Sequence, residues 1–260
     1  MKPFVLDFET SIGGSDRKGH RDLSTDVYTI IYGTSSEDIN ITHSFLGGFD
    51  RQLPPDIGDK LLASDVIIGH NLSFDIGYIY NDRFFREFSR NGGLIWDTQY
   101  VEYLLTAQRH SMSSLAELQS KYLGKKIKID RISKLFASGI GADKIIEAKF
   151  RCKRIWDIYN EYCIGDGVTT YDIFKCQYAE AKRLGMLPII KVYMNYLLGL
   201  ISIQNTGLLI DATRCENILQ DFRIKAIEKL EEAINIISKF WMDERLPEFN
   251  IQSPLHKSAI

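Results

Sequence analysis

Three pairs of residues in this chain have the types and the spacing to do chemistry. The first is Asp7-x-Glu9, set in the run Phe4-Val5-Leu6-Asp7-Phe8-Glu9. On a strand, residues two apart share a face, so both carboxylates point the same way. Two converging carboxylates repel unless a cation lies between them, and hard oxygen ligands suit Mg²⁺ or Mn²⁺. Asp-x-Glu alone is a common pair, and an edge strand with solvated acids would explain it. Acids inside an apolar run are not on a solvated face, however, and buried charge demands a partner. The second pair is Asn71-x-x-x-Asp75, in Gly69-His70-Asn71-Leu72-Ser73-Phe74-Asp75. Here an apolar strand ends and the chain turns into a helix, which places Asn71 and Asp75 near a sheet's carboxyl end, where ligand crevices form. Ser73 reads as the cap of that helix, and His70 as a packing or hydrogen-bonding residue. The third pair is Tyr162-x-x-x-Asp166. On a helix these two share a face, so phenol and carboxylate reach one site together. Taken alone, that pair fits a core tyrosine beside a surface aspartate.

The elements that must position these groups follow from patterning. Phe4–Glu9, Val27–Tyr32 and Ile39–Phe45 read as three strands of a meander. Pro54-Pro55 breaks the chain before a short helix at Ile57–Ala63, and Val66–Gly69 is a buried strand followed by a helix from about Ser73. Between Asp97 and Leu123 the apolar positions predict two helices separated near Arg109-His110. Three strands followed by alternating helix and strand predict an α/β fold with a mixed sheet flanked by helices. After Leu187-Pro188 the pattern is wholly helical: a helix at Ile189–Gln204, then Asp211 as the N-cap of a long amphipathic helix, Ala212–Trp241. That helix would span about 45 Å at 1.5 Å per residue. The predicted division is residues 1–187 and 188–260.

The chain has 260 residues, 45% apolar and 25% charged, with a net charge of −2. This composition excludes a disordered or fibrous protein. Cys152, Cys163, Cys176 and Cys215 form no Cys-x-x-Cys. A zinc cluster or disulfide framework is not expected, and buried, reduced thiols are. The longest uncharged apolar stretch, Val192–Ile203, carries Asn195, so no membrane span is expected. The first ten residues contain two acids, unlike a signal peptide, and the expected location is cytoplasmic. Net charge does not advertise a nucleic-acid partner. Locally it does: Gln119–Arg154 holds 11 Lys/Arg against 3 Asp/Glu, and Phe136, Phe150, Tyr159 and Tyr162 are candidate base-stacking aromatics. A solvated helix face and core aromatics are the plainer explanations.

In this order the three pairs resemble the exonuclease motifs of the DEDD 3′→5′ exonucleases, in the tyrosine-bearing subtype. The resemblance covers roughly residues 1 to 185, and Trp96-Asp97-Thr98, Ser114–Leu118 and Tyr122-Leu123-Gly124 fit the stretch between the second and third motifs. It implies a ribonuclease-H-like fold. Ile203–Asp211, the long helix and Phe249-Asn250-x-x-Ser253-Pro254 are similar to the start of the polymerase region in the DNA polymerase I family. The chain stops at Ile260, before a palm or fingers. The two resemblances together imply a proofreading exonuclease of a phage-like family A polymerase, cut at the start of the thumb and unable to polymerise, with the host cytoplasm as its location if phage-encoded. One departure is Gly13, where the family often has an apolar residue; Thr10 or Ile12 are the substitutes for contact with the terminal base.

The activity so implied is two-metal phosphodiester hydrolysis, releasing 5′-mononucleotides from single-stranded or frayed 3′ DNA ends. Asp7, Glu9, Asp75 and Asp166 would bind two divalent cations, Mg²⁺ or Mn²⁺. Asp7 would bridge them, Glu9 and Asp166 complete the nucleophile side, and Asp75 hold the other ion. Tyr162 would orient the attacking water, while Thr10, Asn71 and Phe74 would contact the substrate. The expected state is a monomer, with no membrane partner and with the rest of a polymerase chain as a possible continuation. Two other readings stay open: a stand-alone exoribonuclease or repair exonuclease with the same motifs, and a catalytically inactive DNA-binding module.

Overall fold

The computed structural model describes residues 1–11, 25–48, 51–124 and 131–238. Ile12, Gly13 and the Phe249–Pro254 segment lie outside them. Two compact units are present, Met1–Thr206 and Gly207–Ile260.

In the first unit, β1 (Pro3–Thr10) is the middle strand of a five-stranded sheet. It pairs antiparallel with β2 (Val27–Gly33), which pairs antiparallel with β3 (Asn40–Thr42). On its other side β1 runs parallel to β4 (Val66–Gly69), and β4 parallel to β5 (Leu94–Asp97). The order β3-β2-β1-β4-β5 is the mixed α/β sheet expected. Because β1, β4 and β5 are parallel, their carboxyl ends fall on one edge, carrying Asp7–Thr10, Gly69–Asn71 and Asp97.

The meander is shorter than its pattern suggests: β3 keeps three residues, and Leu46 makes only an isolated bridge to Val27. Helices α1 (Pro55–Leu62), α2 (Leu72–Ile79), α3 (Arg83–Arg90), α4 (Thr98–Leu105) and α5 (Leu115–Leu123) follow. Then come α6 (Arg131–Ala137), α7 (Ala142–Glu147) and the 31-residue α8 (Lys153–Arg183). Phe4, Leu6, Ile67, Ile68, Leu72 and Ile76 are fully buried at the centre.

Helix α9 (Leu187–Thr206) buries Ile190, Met194, Leu197 and Ile201 in the same core. The first unit therefore extends to Thr206, whereas the sequence pattern divides the chain near residue 187. Pro188 starts a helix here, at the position where its missing N–H costs nothing. By length and composition α9 is also long and apolar enough to cross a membrane, which the sequence did not lead us to expect. One face of it is core to the sheet.

The second unit contains α10 (Ala212–Ser238), where Asp211 accepts from the Arg214 N–H at 2.9 Å as the expected N-cap. The four cysteines are free thiols. Cys163 is buried as expected, Cys152 and Cys176 are half-buried, and Cys215 on α10 is exposed.

Candidate active site

The period-two alternation of β1 buries Phe4, Leu6 and Phe8 and leaves Asp7 and Glu9 part-buried on one face. Between them, the backbone N–H of Phe8 donates to Asp75 Oδ1 at 2.9 Å. Asp75 itself, on the first turn of α2, is 2% exposed. The second pair is thereby tied to the first through one peptide group.

What sets the start of α2 is a residue from a third strand end. Asn71 occupies the N-cap position with φ 57°, in the left-handed region, and its side chain makes no capping bond. Asp97 caps instead: it accepts from the N–H groups of Asn71 and Leu72 and from those of Gln99 and Tyr100 at the start of α4, at 2.8–3.2 Å. Ser73, expected as the cap, only donates weakly to Asn71 Oδ1 at 3.4 Å. Burial pushes the Asp97 carboxyl up to about 6, with its four amide donors pulling the other way.

Helix α8 delivers the third pair, with Tyr162 and Asp166 one turn apart. The helix can approach the sheet because residue 167 is glycine: a Cβ there would stand 2.8 Å from Ile39 Cγ2 and 2.9 Å from Ile31 Cγ2. The Tyr162 hydroxyl bonds to the Asp166 carboxylate, and the Tyr162 ring meets Phe136 edge-on, centroids 6.0 Å apart.

These groups border one cleft of about 310 Å³, lined by Asp7, Glu9, Asn71, Phe74, Asp75, Tyr162 and Asp166 among others. Thr10 is the expected site residue that does not line it. The strand register shifts between Glu9 and Thr10, and the Thr10 hydroxyl turns toward Tyr78. Of the candidate stacking aromatics, Phe136 and Tyr162 line the cleft. Tyr159 is fully buried, its hydroxyl 2.8 Å from Thr29 Oγ1, so it is core.

His70, Leu115 and Thr170 also line the cleft. Thr170 sits four residues after Asp166, a spacing that the sequence displays. His70 is held neutral. Thr98 donates its hydroxyl to the Gly69 carbonyl at 3.1 Å, so in the 3.0 Å contact with His70 the imidazole Nδ1 is the donor. Burial pushes its pKa down to about 4.

The electrostatics describe a site short of positive charge. Asp7 is pushed up to about 7, by burial first and then by the Asp166 carboxylate. Asp75 is raised well above the usual range, by burial and then by Asp7. Burial and the charges of Glu9, Asp166 and Asp7 keep the Tyr162 phenol protonated. Among the described residues no three acids, histidines or cysteines close into a metal cage. Even so, four carboxylates around one cleft, two of them driven toward protonation, are a donor set that divalent cations fit, with hard oxygens and repulsion for a cation to relieve.

Comparison with known proteins bears on this arrangement. Residues 56–176 match the family model of a 3′-5′ exonuclease. The matched stretch carries the Asn71/Asp75 and Tyr162/Asp166 pairs, while the strand with Asp7 and Glu9 precedes it. Among curated proteins no sequence relative matches. Solved structures share the fold. One, described as the apo form of a nuclease, aligns at a TM-score of 0.55 with 14% identity, over 81% of this chain and 89% of that one. Brucella melitensis NrnC with bound Mg²⁺ aligns at 0.53 with 13% identity, over 82% and 90%. The same protein bound to pGG gives the same values. The exonuclease match and the five-stranded sheet agree with the ribonuclease-H-like fold that the motifs imply.

Proposed function

We propose that this chain is a stand-alone 3′→5′ exonuclease acting on short single strands, RNA foremost, and releasing 5′-mononucleotides. The observation that carries the reading is the meeting of Asp7, Glu9, Asp75, Asp166 and Tyr162 in one cleft at the carboxyl ends of β1 and β4. The exonuclease family match supports the reaction class. The fold shared with a nuclease solved with pGG supports a small, 5′-phosphorylated RNA substrate.

In this reading Asp7, Glu9, Asp75 and Asp166 would hold two divalent cations, Mg²⁺ or Mn²⁺, whose chemistry there would be charge neutralisation at the phosphate and a lowered pKa for bound water. The chain's own groups do the rest. Tyr162, kept protonated, orients water through the hydroxyl that bonds to Asp166. Phe74 and Phe136 supply apolar surface for the terminal base, and Asn71 a polar group beside it. His70 adds a neutral acceptor.

The resemblance of Ile203–Asp211 and Phe249–Pro254 to the start of a polymerase region makes proofreading of DNA 3′ ends the second reading. Matched RNA and DNA strands labelled at the 5′ end, digested with Mg²⁺ or with chelator, test both. Stepwise 3′ shortening of RNA, absent in chelator and in Asp7→Ala, is the expected result. Shortening of DNA alone would favour proofreading, and no shortening of either would overturn the nuclease reading.

A further inference from the structure

The turn between α7 and α8 carries a surface that the cleft does not use. Lys149, Arg151, Lys153 and Arg154 fall within six residues that contain no acid. Among the described residues none of the four makes an ion pair, although Lys144, one turn earlier, contacts both Asp143 and Glu147. In their midst Phe150 is 90% exposed, more than any other aromatic among the described residues, with the Lys149 ammonium 4.8 Å from its ring centroid. The turn is built: the N–H groups of Arg151 and Cys152 donate to the Ala148 carbonyl at 2.9 and 3.0 Å. Lys149 also lies 5.7 Å from the Trp156 ring, and an exposed ring flanked by cations without ion-pair partners is what single-stranded nucleic acid requires, a stacking face plus phosphate partners.

Position gives this surface a direction. Lys153 begins α8, and Tyr162 and Asp166 lie nine and thirteen residues further along the same helix. That is about 13–20 Å at 1.5 Å per residue. At about 3.4 Å per stacked nucleotide the separation corresponds to roughly four to six nucleotides. We propose that the Lys149–Arg154 turn is a second strand-binding site: Phe150 stacks on a base and the four cations meet phosphates of the 5′ part of a strand whose 3′ end lies in the cleft. The direction rests on the nuclease reading above; the binding itself does not.

The test compares wild type with Phe150→Ala and with Arg151→Ala/Lys153→Ala, all surface changes, on a 5′-phosphorylated RNA dinucleotide and a ten-nucleotide RNA. For Phe150→Ala the expected result is unchanged dinucleotide hydrolysis and a KM for the longer strand raised about fivefold or more, the low end of what one stacked base contributes. The double variant should bind the longer strand with a shallower salt dependence. Anisotropy of the labelled ten-nucleotide strand in chelator reads binding without hydrolysis. Equal affinity and equal KM in wild type and Phe150→Ala would overturn the site. Should wild type hydrolyse neither substrate, the cleft reading fails, and the anisotropy arm still decides the binding site in the same two ways.

Discussion

The peptide N–H of Phe8 donates to the carboxylate of Asp75, 67 residues away, at 2.9 Å. Phe8 stands between the two acids of β1, so the donor group that holds the α2 acid is set by the same backbone that aims Asp7 and Glu9. Asp75→Asn keeps an oxygen for that bond and removes the charge. Metal-free stability should hold or rise, because one member of a repelling set is gone. Activity should fall by roughly 10²-fold or more, since metal polarisation of a phosphoryl oxygen is worth several kcal/mol. Thermal melts in chelator and single-turnover rates in Mg²⁺ check the two halves.

The pH dependence of stability follows from Asp7. Its carboxyl is raised to about 7 in the fold against 3.8 ordinarily, so between those values the folded chain binds more protons than the unfolded one. Stability then falls as pH rises through that window. Metal-free melting temperature should therefore be higher at pH 5 than at pH 8. Mg²⁺ should raise it at pH 8 and do little at pH 5, where it competes with the proton. His70, its pKa pushed down to about 4, works the other way below about pH 6.5, so the fall should shrink in Asp7→Asn, and an undiminished fall in that variant would contradict the raised Asp7 pKa.

Tyr162→Phe keeps the ring against Phe136 and removes the hydroxyl that bonds to Asp166. Positioned groups of this kind contribute up to roughly 10²–10⁴ in rate, and the lower end is expected beside bound cations. Asp166→Ala should be slower still. Because the phenol stays protonated, the wild-type pH–rate curve should fall on its acid side with the carboxylates and show no limb from Tyr162. Single-turnover rates across pH 5–9 give the order and the shape.

Two glycines on one turn of α8 should behave oppositely. Gly165 has open space where a Cβ would go, so Gly165→Ala should stabilise by about 0.5–1 kcal/mol. Gly167→Ala drives a methyl into Ile31 and Ile39, and overpacking of this sort costs about 1–3 kcal/mol. It also lifts Asp166 from the sheet edge, so activity should drop more than stability alone explains. Denaturant melts and rates on both variants measure the contrast.

The geometry was legible in the sequence where it is local. Asp7 and Glu9 follow from strand period, Tyr162 and Asp166 from helix period, and Asp211 from cap chemistry, because each rule acts within four residues. What could not be read lies in long-range partnership. Asp97 reads only as the start of the helical stretch that runs to Leu123, since its role depends on N–H groups of Asn71 and Leu72, 26 and 25 residues earlier. The strand it ends, Leu94–Asp97, is too short for a periodic signal. Thr10 is placed by resemblance, although strand period alone sets it on the face opposite to that shared by Asp7 and Glu9. Helix α3 did carry a signal, Asp82 as its N-cap before an amphipathic Phe84-Phe85-x-x-Phe88, which apolar runs alone do not reveal.

Asp97 has one more consequence. The starts of α2 and α4 hang from a single carboxylate at the end of β5, the outermost strand on that side of the sheet. The start of α4 has only that carboxylate for its cap, whereas α2 is also held by Leu72 and Ile76 at the centre of the core and by the Phe8 N–H on Asp75. Hydrogen exchange should therefore show the first turn of α4 opening ahead of α2, and α2 opening only close to global unfolding, so that Asn71, Phe74 and Asp75 stay in the cleft as long as the sheet does.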